Sequence, residues 1–171
     1  CFGTGMAATA AVMMALLNAG DHAVVSDVVY GGTHRLSTKV LTRFGIEYTF
    51  VDTGDIDAVR AAVQDNTRLI FTETPANPTL KLTDIAAISE LATELGIPHA
   101  VDNTFLTPFF QRPLELGADV VVHSTTKYMD GHNSTVGGAA IAKSQQHLEA
   151  IQFVRNCLGS NMSPQVAFYT L

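Results

Sequence analysis

The sequence predicts an α/β domain built on a mostly parallel sheet with helices on both faces. Two observations carry this. Short strand-like runs alternate with helical patterns along all 171 residues, the arrangement of βαβ units. The strand-like runs are also continuously apolar, as expected of strands buried on both faces. A hydrophobic content of 47% against 15% charged residues is enough for one domain with a substantial core.

Apolar periodicity predicts a first helix from about Thr4 to Ala19, stopped by Gly20. His22–Ser26 reads as a short buried strand, Thr33–Phe44 as a helix ending at Gly45, and Glu47–Val51 as a strand. Asp55 stands as the N-cap of a helix reaching Val63. Arg68–Thr72 is a strand that runs into the turn Pro75–Pro78. Thr83–Leu95 is amphipathic and meets Gly96, a C-cap residue. His99–Asp102, Asp119–His123 and Gly137–Ala142 are strands, Gln145–Cys157 is helical, and the chain runs out at Leu171 inside a further helical pattern. No internal repeat or low-complexity segment interrupts this order. Because it opens at Cys1 in a loop entering a helix and ends within one, the chain reads as a piece of a longer protein.

Composition narrows the function. The net charge is −6 with no long basic run, which argues against nucleic acid as a partner. Cys1 and Cys157 make no CxxC pair, and a reduced, cytosolic setting is expected. No stretch approaches the roughly 20 apolar residues of a membrane span, and no secretory signal is visible. His123 and His132 lack HxH or HExxH spacing, so no metal site is expected.

In parallel sheets ligands bind beyond the carboxyl ends of strands, and the chemically interesting residues fall there. Lys127 follows the strand ending at His123, preceded by Ser124, Thr125 and Thr126. An amine among hydroxyls instead of carboxylates suits Schiff-base chemistry. Alternation in an extended segment would turn Ser124 and Thr126 to one side, where they could hold phosphate oxygens. Gly3-Thr-Gly-Met-Ala-Ala8 opens a helix, where N–H groups and the helix dipole favour an anion. The same letters fit a dinucleotide fingerprint, with Asp27 as its ribose acid, or a plain tight turn. Tyr30 precedes two glycines and could lie flat on a planar cofactor or simply pack. Asp102 ends an apolar strand; a buried carboxylate implies a partner cation, unless it caps a loop. Asn77, between prolines, could donate to a ring oxygen or shape the turn. One ligand, pyridoxal 5'-phosphate, accounts for all of these together.

The matching stretches are GTGMAA (3–8), VYGGTHR (29–35), ETPANPT (73–79), VDNTFLTPFFQRPLELGAD (101–119) and STTKYMDGH (124–132). Through them the chain resembles the Cys/Met-metabolism family of pyridoxal-phosphate enzymes, of the fold type I, aspartate aminotransferase-like superfamily. The resemblance spans nearly the whole chain and covers most of that family's large domain, without its N-terminal arm and C-terminal domain. It implies that Lys127 carries the Schiff base and, with Tyr30 stacked on the ring, does the catalytic work. It implies that Asp102 pairs with the pyridine nitrogen and that Asn77 contacts the ring hydroxyl oxygen. Gly5 and Met6 would offer N–H groups to the phosphate, joined by the Ser124 and Thr126 hydroxyls. It further implies a cytoplasmic homotetramer of active dimers, with a neighbour's arm giving a Tyr and an Arg to the phosphate.

The substrate implied is a sulfur amino acid, with α,γ-elimination of cystathionine as the expected reaction. The alternative is γ-replacement on an activated homoserine, as in cystathionine γ-synthases and homoserine-ester sulfhydrylases. Gly32 stands where methionine γ-lyases usually carry a cysteine, and Thr4 where the family often has Ser. A dinucleotide-dependent dehydrogenase is the rival from another class, and it leaves Lys127 and Asp102 without a task. A third reading is non-catalytic: an isolated piece with incomplete walls that binds the cofactor weakly or not at all, its substrate-carboxylate arginine lying elsewhere.

Overall fold

The computed structural model describes residues 1–171. The chain opens with helix α1 (Gly5–Leu16), N-capped by Thr4, whose hydroxyl accepts from Ala7 N at 2.9 Å. It ends three residues before the expected Ala19, because Leu17 is already extended at φ −124°. Strand β1 (His22–Ser26) follows as predicted. Helix α2 begins at Gly31, two residues early, and runs regularly to Arg35. A π-helical turn (Leu36–Val40) and a 3₁₀ turn (Leu41–Phe44) continue it to Gly45, which caps it at φ 79°.

Strand β2 (Glu47–Val51) leads to α3 (Ile56–Ala62), where Asp55 caps the N–H groups of Asp57 and Ala58. Strand β3 (Thr67–Glu73) is one residue longer at each end than expected. Helix α4 (Ile85–Leu95) starts at the Asp84 cap and stops at Gly96. After β4 (His99–Asp102) comes a short helix, α5 (Thr107–Phe110), absent from the sequence expectation. Strand β5 (Val120–Ser124) is shifted by one residue from the expected Asp119–His123, β6 (Gly138–Ala142) starts one residue later than expected, and α6 (Gln145–Leu158) and α7 (Pro164–Thr170) close the chain.

The six strands form one sheet in the order β2-β1-β3-β4-β5-β6. All pairs are parallel except β5–β6. Side-chain alternation divides the core into two layers. Ala23, Val25, Leu69, Phe71, Ala100, Val120 and Val122 meet α1 and Ile151 of α6. Val24 and Ile70 face the other way, onto Val59 of α3 and Ile88 and Leu91 of α4. Helix α1 is apolar on most sides because it lies between the sheet and α6.

One buried imidazole gives the fold a pH dependence. His99 on β4 is fully buried, pairing through Nε2 with Thr72 Oγ1 at 2.9 Å and through Nδ1 with Ser89 Oγ at 2.8 Å. Burial lowers it from the usual 6.5 to about 3. The unfolded chain takes up a proton below about pH 6.5 that folded His99 refuses. Its stabilising contribution is therefore complete above that value and lost as pH falls towards 3. His99→Gln is expected to cost stability at pH 7, with the gap to wild type narrowing by about 2 kcal/mol by pH 5. Urea unfolding at both pH values measures this, and a gap independent of pH would refute it.

Candidate active site

The carboxyl ends of β1, β3, β4 and β5 open on one side of the sheet, and the N-terminus of α1 abuts them there. Gly5 makes this approach possible: a Cβ on it would lie 2.6 Å from Ser124 Cβ. Gly138 on β6 does the same, since a Cβ would collide with Thr4 O. Phe2 N donates to Gly138 O at 2.8 Å and Gly138 N to Phe2 O at 2.9 Å, fixing the entry of α1 against β6. The N–H groups of Gly5 and Met6 precede the first intrahelical bond and donate to nothing within the protein. Two N–H groups without partners at the start of a 12-residue helix are able to hold an anion.

A cavity of about 640 Å³ occupies this position, and all eight sequence candidates line it: Gly5, Met6, Tyr30, Asn77, Asp102, Ser124, Thr126 and Lys127. They come from five separate segments of the chain. Lys127 is the only lysine, arginine or histidine in the lining. It forms no ion pair, being solvent-exposed on the turn after β5.

The expected reason for Ser124 and Thr126 sharing a side needs correction. The strand ends at Ser124, and residues 125–130 form turns, with Lys127 N donating to Ser124 O at 3.3 Å and Asp130 N to Thr125 O at 2.9 Å. The turn, not strand alternation, brings both to the cavity. Thr126 Oγ1 is also engaged with Gly137, accepting from its N–H at 3.1 Å and donating to its carbonyl at 3.2 Å. Asp130 anchors the loop beyond, accepting from Ser134 N, Ser134 Oγ and Thr135 Oγ1 at 2.7–2.8 Å. Those bonds hold its carboxyl well below the usual carboxylate range.

Asp102 is buried at the end of β4, and burial raises its carboxyl above the usual value against the opposing pull of Thr104. Thr104 N and Oγ1 both donate to Oδ1, at 3.0 and 2.6 Å, leaving Oδ2 with no protein partner. Thr104 Oγ1 in turn accepts from Ser124 N at 2.8 Å, tying β4 to the start of the lysine turn. Glu73 sits opposite Asp102 in the β3–β4 register and lines the same cavity. Burial first, and Asp102 second, push it up from 4.5 to about 7. No cation in the chain pairs with either carboxylate.

The sequence reading singled out neither Glu73 nor Thr104, although Glu73 shows the signal that drew attention to Asp102, an acid ending an apolar strand. Thr33 was missed too. Its hydroxyl is buried without a partner and lines the cavity. Tyr30 is 49% exposed, and Gly32 makes room for its ring, since any Cβ there would strike Tyr30 Cε1 and Met6 Sδ. Asp27, the acid a dinucleotide site would need, is outside the cavity lining, with both oxygens held by Lys81 Nζ at 3.0 and 2.9 Å. Lys81 also pairs with Asp52 at 2.9 Å.

These features fit pyridoxal 5'-phosphate. The unused N–H groups of Gly5 and Met6 lie beside the Ser124 hydroxyl for a phosphate, and a buried carboxylate with a free oxygen suits a protonated ring nitrogen. A single uncompensated lysine faces the same space. An open, mostly parallel sheet carrying that constellation defines the large domain of a pyridoxal-phosphate enzyme of fold type I. The chain belongs to the Cys/Met metabolism PLP-dependent enzyme family, whose sequence profile matches residues 1–171.

The chain is 52% identical over 164 residues to the cystathionine gamma-lyase of Bacillus subtilis, covering 96% of this chain and 43% of that protein. It is 49% identical over 170 residues to the cystathionine gamma-synthase of Mycobacterium bovis, covering 99% and 44%. Among solved structures, the cystathionine gamma-lyase of Lactobacillus plantarum complexed with L-serine superposes with a TM-score of 0.96 at 44% identity, covering 99% of this chain and 44% of that one. The chain thus spans less than half the length of these relatives.

Proposed function

We propose that the protein containing this chain is a transsulfuration enzyme that catalyses α,γ-elimination of cystathionine. The observation that carries this reading is the cavity wall, where Lys127 is the sole basic side chain and stands in one space with the Asp102 carboxylate and the α1 N-terminus. Gly5 N, Met6 N and the Ser124 hydroxyl would hold the phosphate of the cofactor, with Thr126, bonded to Gly137, beside them. Asp102 would keep a proton on the pyridine nitrogen, the Asn77 amide would serve the ring oxygen, and the Tyr30 ring would cover one face and exclude water. Pyridoxal 5'-phosphate held there supplies an electron sink for charge developing at the substrate Cα. Lys127 Nζ removes the Cα proton and delivers protons that let the γ-thiol leave.

Gly32 supports the cystathionine reading over a methionine γ-lyase, because it stands where those enzymes usually carry a cysteine. The γ-synthase relative, nearly as similar as the γ-lyase, supports γ-replacement on an activated homoserine as the second reading. We further assign the enzyme to the cytoplasm as a homotetramer. Phe109, Phe110 and Tyr128, exposed by 82, 77 and 65%, suit burial between subunits. No helix is long and apolar enough to cross a membrane. Turnover of cystathionine to cysteine, 2-oxobutanoate and ammonia, measured beside condensation of a homoserine ester with cysteine, tests the assignment in the full-length protein. Elimination is expected to have the higher kcat/KM by about tenfold or more. A reversed ratio would assign the enzyme to replacement.

A further inference from the structure

Glu73 ends β3 inside the cavity, yet none of the roles above uses it. Its two oxygens are spent on the backbone of two cofactor-facing residues. Oε2 accepts from Tyr30 N at 2.6 Å and Oε1 from Asn77 N at 3.3 Å. One carboxylate therefore joins the loop after β1 to the loop after β3, and those loops carry the ring-face tyrosine and the ring-oxygen asparagine. Tyr30 precedes Gly31 at the start of α2, where no side chain caps the helix. Without Glu73 its N–H would lose its only partner in the fold. An ionised carboxylate accepts both bonds at full strength, whereas protonation converts one oxygen to a hydroxyl, a weaker acceptor whose hydrogen must turn away from the N–H it faces.

The charged state of Glu73 depends on its neighbour. Asp102 is its register partner on β4, so the two side chains rise from the sheet about 5 Å apart on the same face. Both are buried and no cation of the chain compensates them. A cation placed beside Asp102 Oδ2 offsets their mutual repulsion and favours the ionised form of each. We propose that Glu73 is a positioning residue: its carboxylate clamps the Tyr30 and Asn77 loops against the cofactor, and the cation that pairs with Asp102 tightens the clamp.

The inference rests on the cofactor reading above, and the two fail differently. Titrating the full-length apoprotein with pyridoxal 5'-phosphate, followed by visible absorbance and induced circular dichroism, measures both. Glu73→Gln is expected to weaken cofactor binding about tenfold and to reduce the visible dichroic band, which reports how the ring is seated. In a Tyr30→Ala/Asn77→Ala background the same substitution is expected to change affinity by no more than about twofold, since the groups it positions are gone. Glu73→Asp, one methylene short of spanning both N–H groups, is expected to show the same dependence on background and serves if the glutamine variant does not fold. An unchanged affinity and dichroic band in Glu73→Gln, or a tenfold loss that persists in the double-alanine background, would overturn the clamp. A wild-type apoprotein that develops no visible band would instead overturn the cofactor reading itself.

Discussion

Lys127→Ala is expected to abolish the yellow absorbance of the protein with pyridoxal 5'-phosphate and to lower turnover by about 10²–10⁴-fold, the range for loss of a positioned acid–base group. The size follows from the cavity lining, which holds no second lysine, arginine or histidine to take over the proton. Fold loss is not expected, because the side chain is exposed and forms no ion pair. The turn around it is held by backbone bonds and by Asp130. Borohydride reduction followed by peptide mapping provides the check, with the reduced cofactor found on the peptide containing Lys127 in wild type and on none in the variant. Retained colour with full turnover would remove Lys127 from the mechanism.

Asp102→Asn is expected to lower turnover by about 10²–10³-fold, as for removal of one preorganised electrostatic group from a dry site. Its effect on stability should change sign with the cofactor. Burial raises the Asp102 carboxyl in the folded state, so the folded chain holds that proton more tightly than the unfolded one. The contribution is complete below the unfolded value of 3.8 and is lost as pH rises through the folded value. At neutral pH that lost contribution weighs on the apoprotein, whereas asparagine has no carboxylate to bury. With the cofactor bound, asparagine would leave the ring nitrogen without the counter-charge proposed for Asp102. Thermal melts at pH 7.5 are expected to show the variant at or above wild type as apoprotein and below it with pyridoxal 5'-phosphate. A variant less stable than wild type in both states would contradict this account.

Both residues were legible in the sequence because their signals are local. An acid ending an apolar strand and a lysine following one are visible within a few residues. The same holds for β1, β2 and β4, found at His22–Ser26, Glu47–Val51 and His99–Asp102 as read, where short apolar runs lie between polar or glycine boundaries. Helices were placed where caps such as Asp55, Gly45 and Gly96 punctuate them. Elements without such a signal were not. Helix α5 spans four residues, too few for periodicity to declare itself. The π-helical turn that follows α2 has no signature in helical spacing.

The sequence by itself determined the sheet class, the residues at the strand ends and, through the family resemblance, the cofactor they are expected to share. Only the tertiary structure decided which of those residues meet and what else stands with them. Strand order and the parallel register set Glu73 beside Asp102, although 29 positions separate them in the chain. Gly5 and Gly138 let α1 close on β5 and β6, which brings two unused N–H groups to the lysine turn. The physical reason is that a strand's apolar pattern reports only that it is buried. Which neighbour it pairs with, and in what register, depends on contacts between segments far apart in the chain.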